Sequence, residues 1–176
     1  KQSLGTIRKV FIGVGSNLGD RASFFELAKT EFLSTADLTD LRCSPVYETE
    51  PVDGAEGQPK FWNAVWSFST ALAPEALLQK LNEIEAQAGR ERRTAKEART
   101  LDLDILFDGD QGVEKANLTI PHPRLHERTF VLVPFCDLEP EWLHPVLKKT
   151  MKELLNNLSA THNGQRAIRC MKRGRF

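Results

Sequence analysis

Two aspartates that alternate with apolar residues form the part of the sequence best suited to chemistry. The segment "RTLDLDIL" places Asp102 and Asp104 two positions apart. Apolar side chains at every second position are typical of a half-buried β-strand, so Leu101, Leu103 and Ile105 face a core and both aspartates share the opposite face. The carboxylates then lie roughly 7 Å apart, because a strand rises about 3.3 Å per residue, and they repel each other unless positive charge lies nearby.

That positive charge has two possible sources. Arginines from neighbouring strands could pair with both aspartates and hold the fold together. Alternatively, the pair binds a hard divalent cation such as Mg2+, which takes oxygen ligands and typically uses one or two carboxylates together with substrate phosphates. We favour the cation, because two buried like charges cost free energy without one.

The segment that leads into this strand, "GRERRTAKEAR", is strongly basic, although the whole chain balances 24 Lys and Arg against 24 Asp and Glu residues. A run of charge is most often a solvated surface, but arginine forks also bind phosphate oxygens. Basic residues beside a metal-binding strand therefore predict a polyphosphate substrate. The local charges are Arg90, Arg92, Arg93, Lys96 and Arg99 against Glu91 and Glu97.

A second basic segment, "IPHPRLHERTF", follows later in the chain. Two prolines flank His122 and fix the backbone that presents its side chain. His122 and Arg128 are candidates for contacts with phosphate, and a purely structural role is equally open for both.

Phe61 and Asn63 lie two positions apart in the strand-like segment "FWNAVWSFST" and so share a face. An aromatic plane beside a carboxamide, which both donates and accepts hydrogen bonds, suits a flat heterocycle. Ordinary packing is the more common reason for such a pair.

The glycines of "GVGSNLGDR" invite a nucleotide-loop interpretation. A P-loop needs Gly-Lys-Ser/Thr, and a dinucleotide-binding loop needs its own glycine spacing and a downstream acid, and the sequence has neither. We therefore predict a tight turn from strand to helix.

The composition indicates one globular domain in 176 residues, with 40% hydrophobic and 27% charged residues. Balanced charge argues against nucleic acid or a membrane surface as a partner. The three cysteines form no CxxC pair, so neither a disulfide framework nor a zinc site is indicated. We expect a cytoplasmic monomer.

The order of elements predicts an α+β fold with a ferredoxin-like βαββαβ core, an antiparallel sheet with helices packed on its faces. Asp20 is the expected cap of the first helix. Residues 1–158 would form the catalytic domain and residues 159–176 a basic, poorly ordered tail. The predicted strands are 9–16, 38–49 (irregular), 61–70 and 99–106, and the predicted helices are 21–34, 74–88, 125–138 and 146–158.

Five segments, "GSNLGDR", "YETEP", "FWNAV", "RTLDLDIL" and "IPHPRLHERTFVLVP", resemble in order and spacing the 6-hydroxymethyl-7,8-dihydropterin pyrophosphokinase family. The resemblance runs from about Val10 to Leu158. It implies transfer of a diphosphate group from ATP, the co-substrate, to the hydroxymethyl oxygen of a reduced pterin alcohol, with release of AMP, in folate biosynthesis. It also implies that Asp102 and Asp104 hold two Mg2+ ions that bridge the ATP phosphates.

The resemblance further implies where the substrates bind. The pterin would stack between Phe61 and Phe130, with its edge hydrogen-bonded by Asn63 and by backbone groups around Thr49 and Val52.

On the ATP side, the resemblance implies that Glu85 contacts the ribose and that Ile105 packs near the adenine. Arg90 and Arg99 would stabilise the charge that develops during transfer. The implied lining of the triphosphate is Arg90, Arg92, Arg99, His122 and Arg128.

The sequence departs from the family in the basic loop. Members commonly carry Arg-Trp-Gly-Pro-Arg before the Thr-Leu-Asp-Leu-Asp run, whereas "KEAR" stands here. The family's Tyr after the Pro-His pair is Pro123. Both changes bear on the ATP side of the site.

Two rival functions share this topology. A two-metal nucleotidyl transferase with a ferredoxin-like palm would release pyrophosphate instead of AMP, and such palms usually draw their carboxylates from separate strands. A non-enzymatic RNA-binding module would use strand aromatics for stacking and would not need the aspartates.

Overall fold

The structure, a computed structural model, describes residues 5–16, 20–49, 61–88 and 101–160. The strands are β1 Arg8–Ser16, β2 Thr39–Cys43, β3 Tyr47–Thr49, β4 Phe61–Thr70, β5 Asp102–Asp108, β6 Val113–Lys115 and β7 Leu118–Ile120. The helices are α1 Arg21–Ser34, α2 Pro74–Ala88, α3 Thr129–Leu138 and α4 Met151–Ala160, and a 3-10 turn spans Leu125–Glu127. Among the described residues, none of the helices has the length and apolarity to cross a membrane.

The main sheet has the strand order β2-β4-β1-β5, and each neighbouring pair is antiparallel. This order confirms the ferredoxin-like prediction. The irregular strand 38–49 is divided into β2 and β3, which pair with successive parts of β4. Ser44 bridges the break, because its N–H donates to Val65 O and its Oγ accepts from Val65 N, both at 2.9 Å.

Helices α1 and α2 cover one face of the sheet. The Asp20 carboxylate caps α1 by accepting from Ser23 N at 3.1 Å, as the sequence predicts. The Ser23 hydroxyl, which donates to Asp20 Oδ2 at 2.7 Å, is the main reason why the pKa of Asp20 is lowered, and the bond from Ser23 N lowers it further. The apolar stripe of α2 is buried against β1, β4 and β5 and consists of Leu77, Leu81, Ile84 and Ala88.

Helices α3 and α4 cover the opposite face. Phe11 of β1 and Phe107 of β5 pack there against Phe135 of α3. The predicted helix 125–138 is a 3-10 turn followed by α3, because the backbone is extended at Arg128. The sheet is therefore covered on both faces.

The predicted helix 146–158 begins later, at Met151, because two local hydrogen-bond motifs precede it. His144 Nδ1 accepts from the backbone of Val146 and Leu147 and holds them in a turn. Thr150 and Glu153 then form a reciprocal capping box, with both bonds at 3.1 Å. The helix continues to Ala160, beyond the predicted boundary at residue 158, and the tail 161–176 lies outside the described residues.

Candidate active site

Asp102 and Asp104 lie at the start of β5, on the face of the sheet that α3 and α4 cover further along. Both side chains are partly exposed, whereas Leu101, Leu103 and Ile105 are buried in the core beneath α1 and α2. The predicted division of this strand into a buried and an open face is confirmed. The strand runs from Asp102 to Asp108, two residues beyond the predicted end at residue 106, and residues 99–100 lie outside the described residues.

Gly13 and Gly15, termed here the glycine strip, lie in β1 beside the aspartates. Both fall in the predicted strand 9–16, which is confirmed, and they are paired with Asp104 and Asp102. A Cβ on Gly15 would lie 3.3 Å from Asn63 Oδ1, whereas one on Gly13 would meet Leu106 Cδ2 at 3.8 Å. Gly19 lies outside the described residues.

The period-two pattern of β1 already indicates the face on which Gly13 and Gly15 lie, although their place beside the site was not predicted from the sequence. Val10, Ile12 and Val14 point into the core beneath α1 and α2, so both glycines must face the other way. Because neither has a side chain, the glycine strip leaves the sheet surface open between the amide of Asn63 and the two carboxylates.

Asn63 projects from β4 on the other side of Gly15, its partner in the register. Asn63 Nδ2 donates to the buried hydroxyl of Thr49 at 2.9 Å, which fixes the amide plane. Thr49 itself is paired with Phe61 across β3 and β4. Phe61 and Asn63 share a face, as predicted, and α3, which carries Phe130, packs against β4.

His122 lies beside β5, where its backbone N–H donates to Leu106 O at 3.1 Å. Its Nδ1 accepts from Arg124 N at 3.3 Å, so the hydrogen of the neutral ring is assigned to Nε2. Burial is the main cause of its lowered pKa, Arg128 lowers it further, and Asp102 opposes this. The imidazole is therefore neutral near pH 7 and presents an N–H donor in the field of Asp102.

Arg128 lies at the junction of the 3-10 turn and α3. Its guanidinium carbon is 5.6 Å from the ring centroid of Phe130, within cation–π range. Arg124, by contrast, is exposed and pairs with Glu127 at 3.3 Å. The structure thus associates two residues of the second basic segment, His122 and Arg128, with the site and directs Arg124 to solvent.

Two further predicted residues lie on the α2 side of β5. Ile105 is 5% exposed and belongs to the core beneath α1 and α2, and its contact with adenine stays a prediction. Glu85 lies on α2 and accepts from Leu103 N at 2.9 Å through Oε1. The remaining predicted site residues lie outside the described residues: Val52, Arg90, Arg92 and Arg99.

Two carboxylates fit a cation that completes its shell from a substrate. In the part of the chain that the structure describes, no group of three or more His, Cys, Asp or Glu residues could hold a metal ion. Mg2+ rarely needs such a group, because it keeps several waters and shares phosphate oxygens with its substrate. The oxygen donors of Asp102 and Asp104 and the open glycine strip next to them match that requirement.

A contact between β3 and α3 was not anticipated from the sequence. The Tyr47 hydroxyl donates to Asp137 Oδ2, and the two residues are 90 positions apart. Tyr47 is paired with Asn63 in the β3–β4 register, so this bond ties the strand beneath the amide to the helix that carries Phe130. No local pattern could have revealed it.

The fold and this face define a class of protein: an α+β enzyme with a ferredoxin-like sheet that presents paired carboxylates beside an oriented amide. The model of one family, 7,8-dihydro-6-hydroxymethylpterin-pyrophosphokinase, matches residues 11–140. The chain belongs to this family, whose enzymes transfer pyrophosphate from ATP to hydroxymethyldihydropterin in folate synthesis.

Relatives of two lengths match the chain. It is 37% identical over 150 residues to the 2-amino-4-hydroxy-6-hydroxymethyldihydropteridine pyrophosphokinase of Synechocystis sp., covering 85% of this chain and 76% of that protein. It is 42% identical over 137 residues to the folic acid synthesis protein fol1 of Pneumocystis carinii, covering 78% of this chain but only 18% of that protein. The chain thus spans most of the first relative and under a fifth of the second.

A solved structure shares the fold. The wild-type HPPK-DHPS of Plasmodium falciparum, solved with pterin and p-hydroxybenzoate, superposes with a TM-score of 0.67 at 16% identity. The match covers 87% of this chain and 43% of that one. At this identity the likeness concerns the fold.

Proposed function

We propose that the face formed by Asp102, Asp104, the glycine strip and Asn63 is where this chain transfers diphosphate from ATP to the hydroxymethyl oxygen of 6-hydroxymethyl-7,8-dihydropterin, with release of AMP. One observation carries the proposal. Asn63 and Asp102 flank Gly15 on the two neighbouring strands. Since neighbouring strands are about 4.8 Å apart, a flat ring held at the amide has its substituent within reach of the carboxylates.

The pterin side of the site would consist of an oriented amide and two aromatic residues. Thr49 accepts from Asn63 Nδ2, and Asn63 Oδ1 lies next to the position of a Gly15 Cβ. That oxygen is directed toward the open surface, where it would accept from an N–H on the pterin edge. Phe61 and Phe130 would sandwich the ring, which gains from offset stacking.

The ATP side would use the charged residues around β5. Asp102 and Asp104 would hold two Mg2+ ions, which neutralise phosphate charge and acidify a coordinated hydroxyl when bound. His122 would donate from Nε2 to a phosphate oxygen, which its neutral form allows. Arg128 would add a fork to the same phosphate chain.

The basic segment before β5 would complete the ATP side. We assign Arg90, Arg92 and Arg99 to the triphosphate, with Arg90 and Arg99 stabilising the charge that develops. In a transfer of this kind the protein mainly positions the reactants and neutralises the charge on the phosphates.

The two rival functions are not favoured. A nucleotidyl-transferase palm usually takes its carboxylates from separate strands, whereas Asp102 and Asp104 share β5. An RNA-binding module would leave the match to a pyrophosphokinase family without an explanation. We retain the sequence-based expectations of a monomer and a cytoplasmic location as part of the proposal.

The test is a product assay with four components: protein, Mg2+, ATP and the reduced pterin alcohol. We expect AMP and the pterin diphosphate to appear in equal amounts, and neither to appear when the pterin or the metal is left out. Pyrophosphate as the product from ATP would point to nucleotidyl transfer and would refute the proposal.

A further inference from the structure

The backbone between the two aspartates is held by a side chain from α2. Glu85 Oε1 accepts a hydrogen bond from Leu103 N at 2.9 Å. Leu103 is the residue between Asp102 and Asp104, so the bond fixes the peptide group that joins it to Asp102. Glu85 is partly buried, and its neighbours on the helix, Ile84 and Ala88, are in the core.

This bond is made on the outer edge of the sheet. β5 is the last strand in the order, with β1 on its inner side. Asp102 and Asp104 are paired there with Gly15 and Gly13. The N–H of Leu103 points away from β1, and an outward N–H on an edge strand needs another partner when water cannot reach it.

A second backbone group on the outer edge of β5 also has a hydrogen-bond partner, and that partner belongs to a predicted site residue. Leu106 O accepts from His122 N at 3.1 Å. The edge of β5 is therefore bonded at two points, by the carboxylate of Glu85 near the aspartates and by the backbone of His122 further along. The first point acts directly on the residues that would bind the metal.

We propose that Glu85 is a positioning residue for the metal site: it fixes the backbone between Asp102 and Asp104 and thereby the directions of both carboxylates. The inference rests on the proposed function for the assignment of the cation to this pair. A bond from an N–H to an ionised carboxylate is stronger than one between neutral groups, so it restrains an edge strand effectively. The resemblance alone implied only a ribose contact for Glu85.

Metal affinity is the quantity that this role predicts. Residues that orient metal ligands typically change metal affinity by about 10- to 100-fold when they are removed. We expect Glu85→Ala to weaken Mg2+ binding by at least about tenfold on that scale, measured by calorimetry with an unreactive ATP analogue. Glu85→Gln keeps an oxygen that can accept from Leu103 N and should restore most of the affinity.

Glu83→Ala is the matched control, because it removes a carboxylate from the same helix without touching β5. Glu83 is exposed and its partner is Lys80, at 3.6 Å. We expect the Glu83→Ala variant to bind Mg2+ with the same affinity as the unmodified protein. Amide hydrogen exchange gives a second readout: the Leu103 N–H should be protected in the unmodified protein and in Glu83→Ala, and should exchange faster in Glu85→Ala.

A simple ribose contact makes different predictions. It lowers affinity for the ATP analogue by the same factor with and without Mg2+ and leaves exchange at Leu103 unchanged, and that result would overturn the proposal. If Glu85→Ala does not fold, Glu85→Asp decides, because its shorter side chain withdraws the carboxylate from Leu103 N. Weaker metal affinity together with faster exchange at Leu103 supports the role, and unchanged values of both reject it. Absence of AMP from the unmodified protein would count against the proposed function, whereas metal affinity and exchange test Glu85 independently of turnover.

Discussion

Gly15 of β1 lies directly opposite Asp102 of β5 in the register of the two strands. A Cβ at this position would lie 3.3 Å from Asn63 Oδ1, on the strand between that amide and Asp102. The candidate site therefore depends on the lack of a side chain at Gly15 as much as on its polar groups. The open glycine strip is what makes the amide and the carboxylates parts of one surface.

Gly15→Ala should weaken pterin binding, because its methyl group occupies the space between the amide and the carboxylates. We expect the KM for the pterin to rise roughly tenfold, equivalent to about 1.4 kcal/mol, while affinity for an ATP analogue changes little. Gly13→Ala adds the same methyl group to the same strand, but its Cβ makes only an ordinary contact of 3.8 Å with Leu106. Equal effects of the two substitutions on the pterin KM would show that Gly15 has no special role.

Asp102→Asn and Asp104→Asn should each remove metal-dependent turnover, because the amide keeps the shape of the side chain but not its charge. We expect kcat to fall at least about 100-fold, which corresponds to about 2.7 kcal/mol of activation free energy. Asp110→Asn, at an exposed position in the turn after β5, is the control and should retain full activity. Steady-state rates across a Mg2+ titration measure the effect, and rates equal to the control in both variants would remove the metal assignment.

Thr49→Val and Asn63→Ala should act on the same interaction. Thr49→Val removes the hydroxyl that accepts from Asn63 Nδ2 and frees the amide to rotate. Each change should cost about 1–3 kcal/mol of pterin binding, through an unpaired polar group in the pocket. Calorimetry on the double variant should give no larger loss than Asn63→Ala alone, and additive losses would mean that the two residues act separately.

The stability of the protein should fall on mild acidification because of His144. This histidine is 5% exposed, and its Nδ1 accepts two backbone N–H groups, which only the neutral ring can do. Burial, and to a lesser degree His126, lowers its pKa in the folded protein. The stability that neutral His144 contributes is complete above the ordinary histidine pKa of about 6.5, and it is lost as the pH falls through the lower pKa of His144 in the folded protein.

His144→Asn tests this assignment, because the Asn oxygen accepts at a similar position without titrating. It should lower Tm at neutral pH, since the ring packs edge-on to Phe107 at 5.3 Å. The unmodified protein should therefore have a lower Tm at about pH 5 than at about pH 7, measured by calorimetry. An equally steep drop in the variant would assign the acid sensitivity to another group, such as His122.

Patterns within a few residues predicted most of the fold. α1 spans 21–34 with Asp20 as its cap, β4 spans 61–70, and α2 starts at Pro74, all as predicted. These features depend on local capping, on period-two alternation and on the period of the helix, so the sequence carries them directly. The predictions failed where a turn interrupts an apolar period, at Arg128 and before Met151.

The candidate site divides in the same way. Alternation alone predicted that Asp102 shares a face with Asp104 and that Phe61 shares one with Asn63. Alternation could not predict the contacts between elements, because each contact joins residues that are distant in the chain. Glu85 and Leu103 are 18 positions apart and Tyr47 and Asp137 are 90 apart.

Local sequence patterns therefore specify most of the elements and the face of each element to which a side chain belongs. The faces that meet are seen only in the folded chain, in the register that places Gly15 between Asn63 and Asp102 and in the hydrogen bond from Leu103 of β5 to Glu85 of α2. Side-chain direction follows from local backbone geometry, whereas strand register and helix docking are fixed by burial of the whole core.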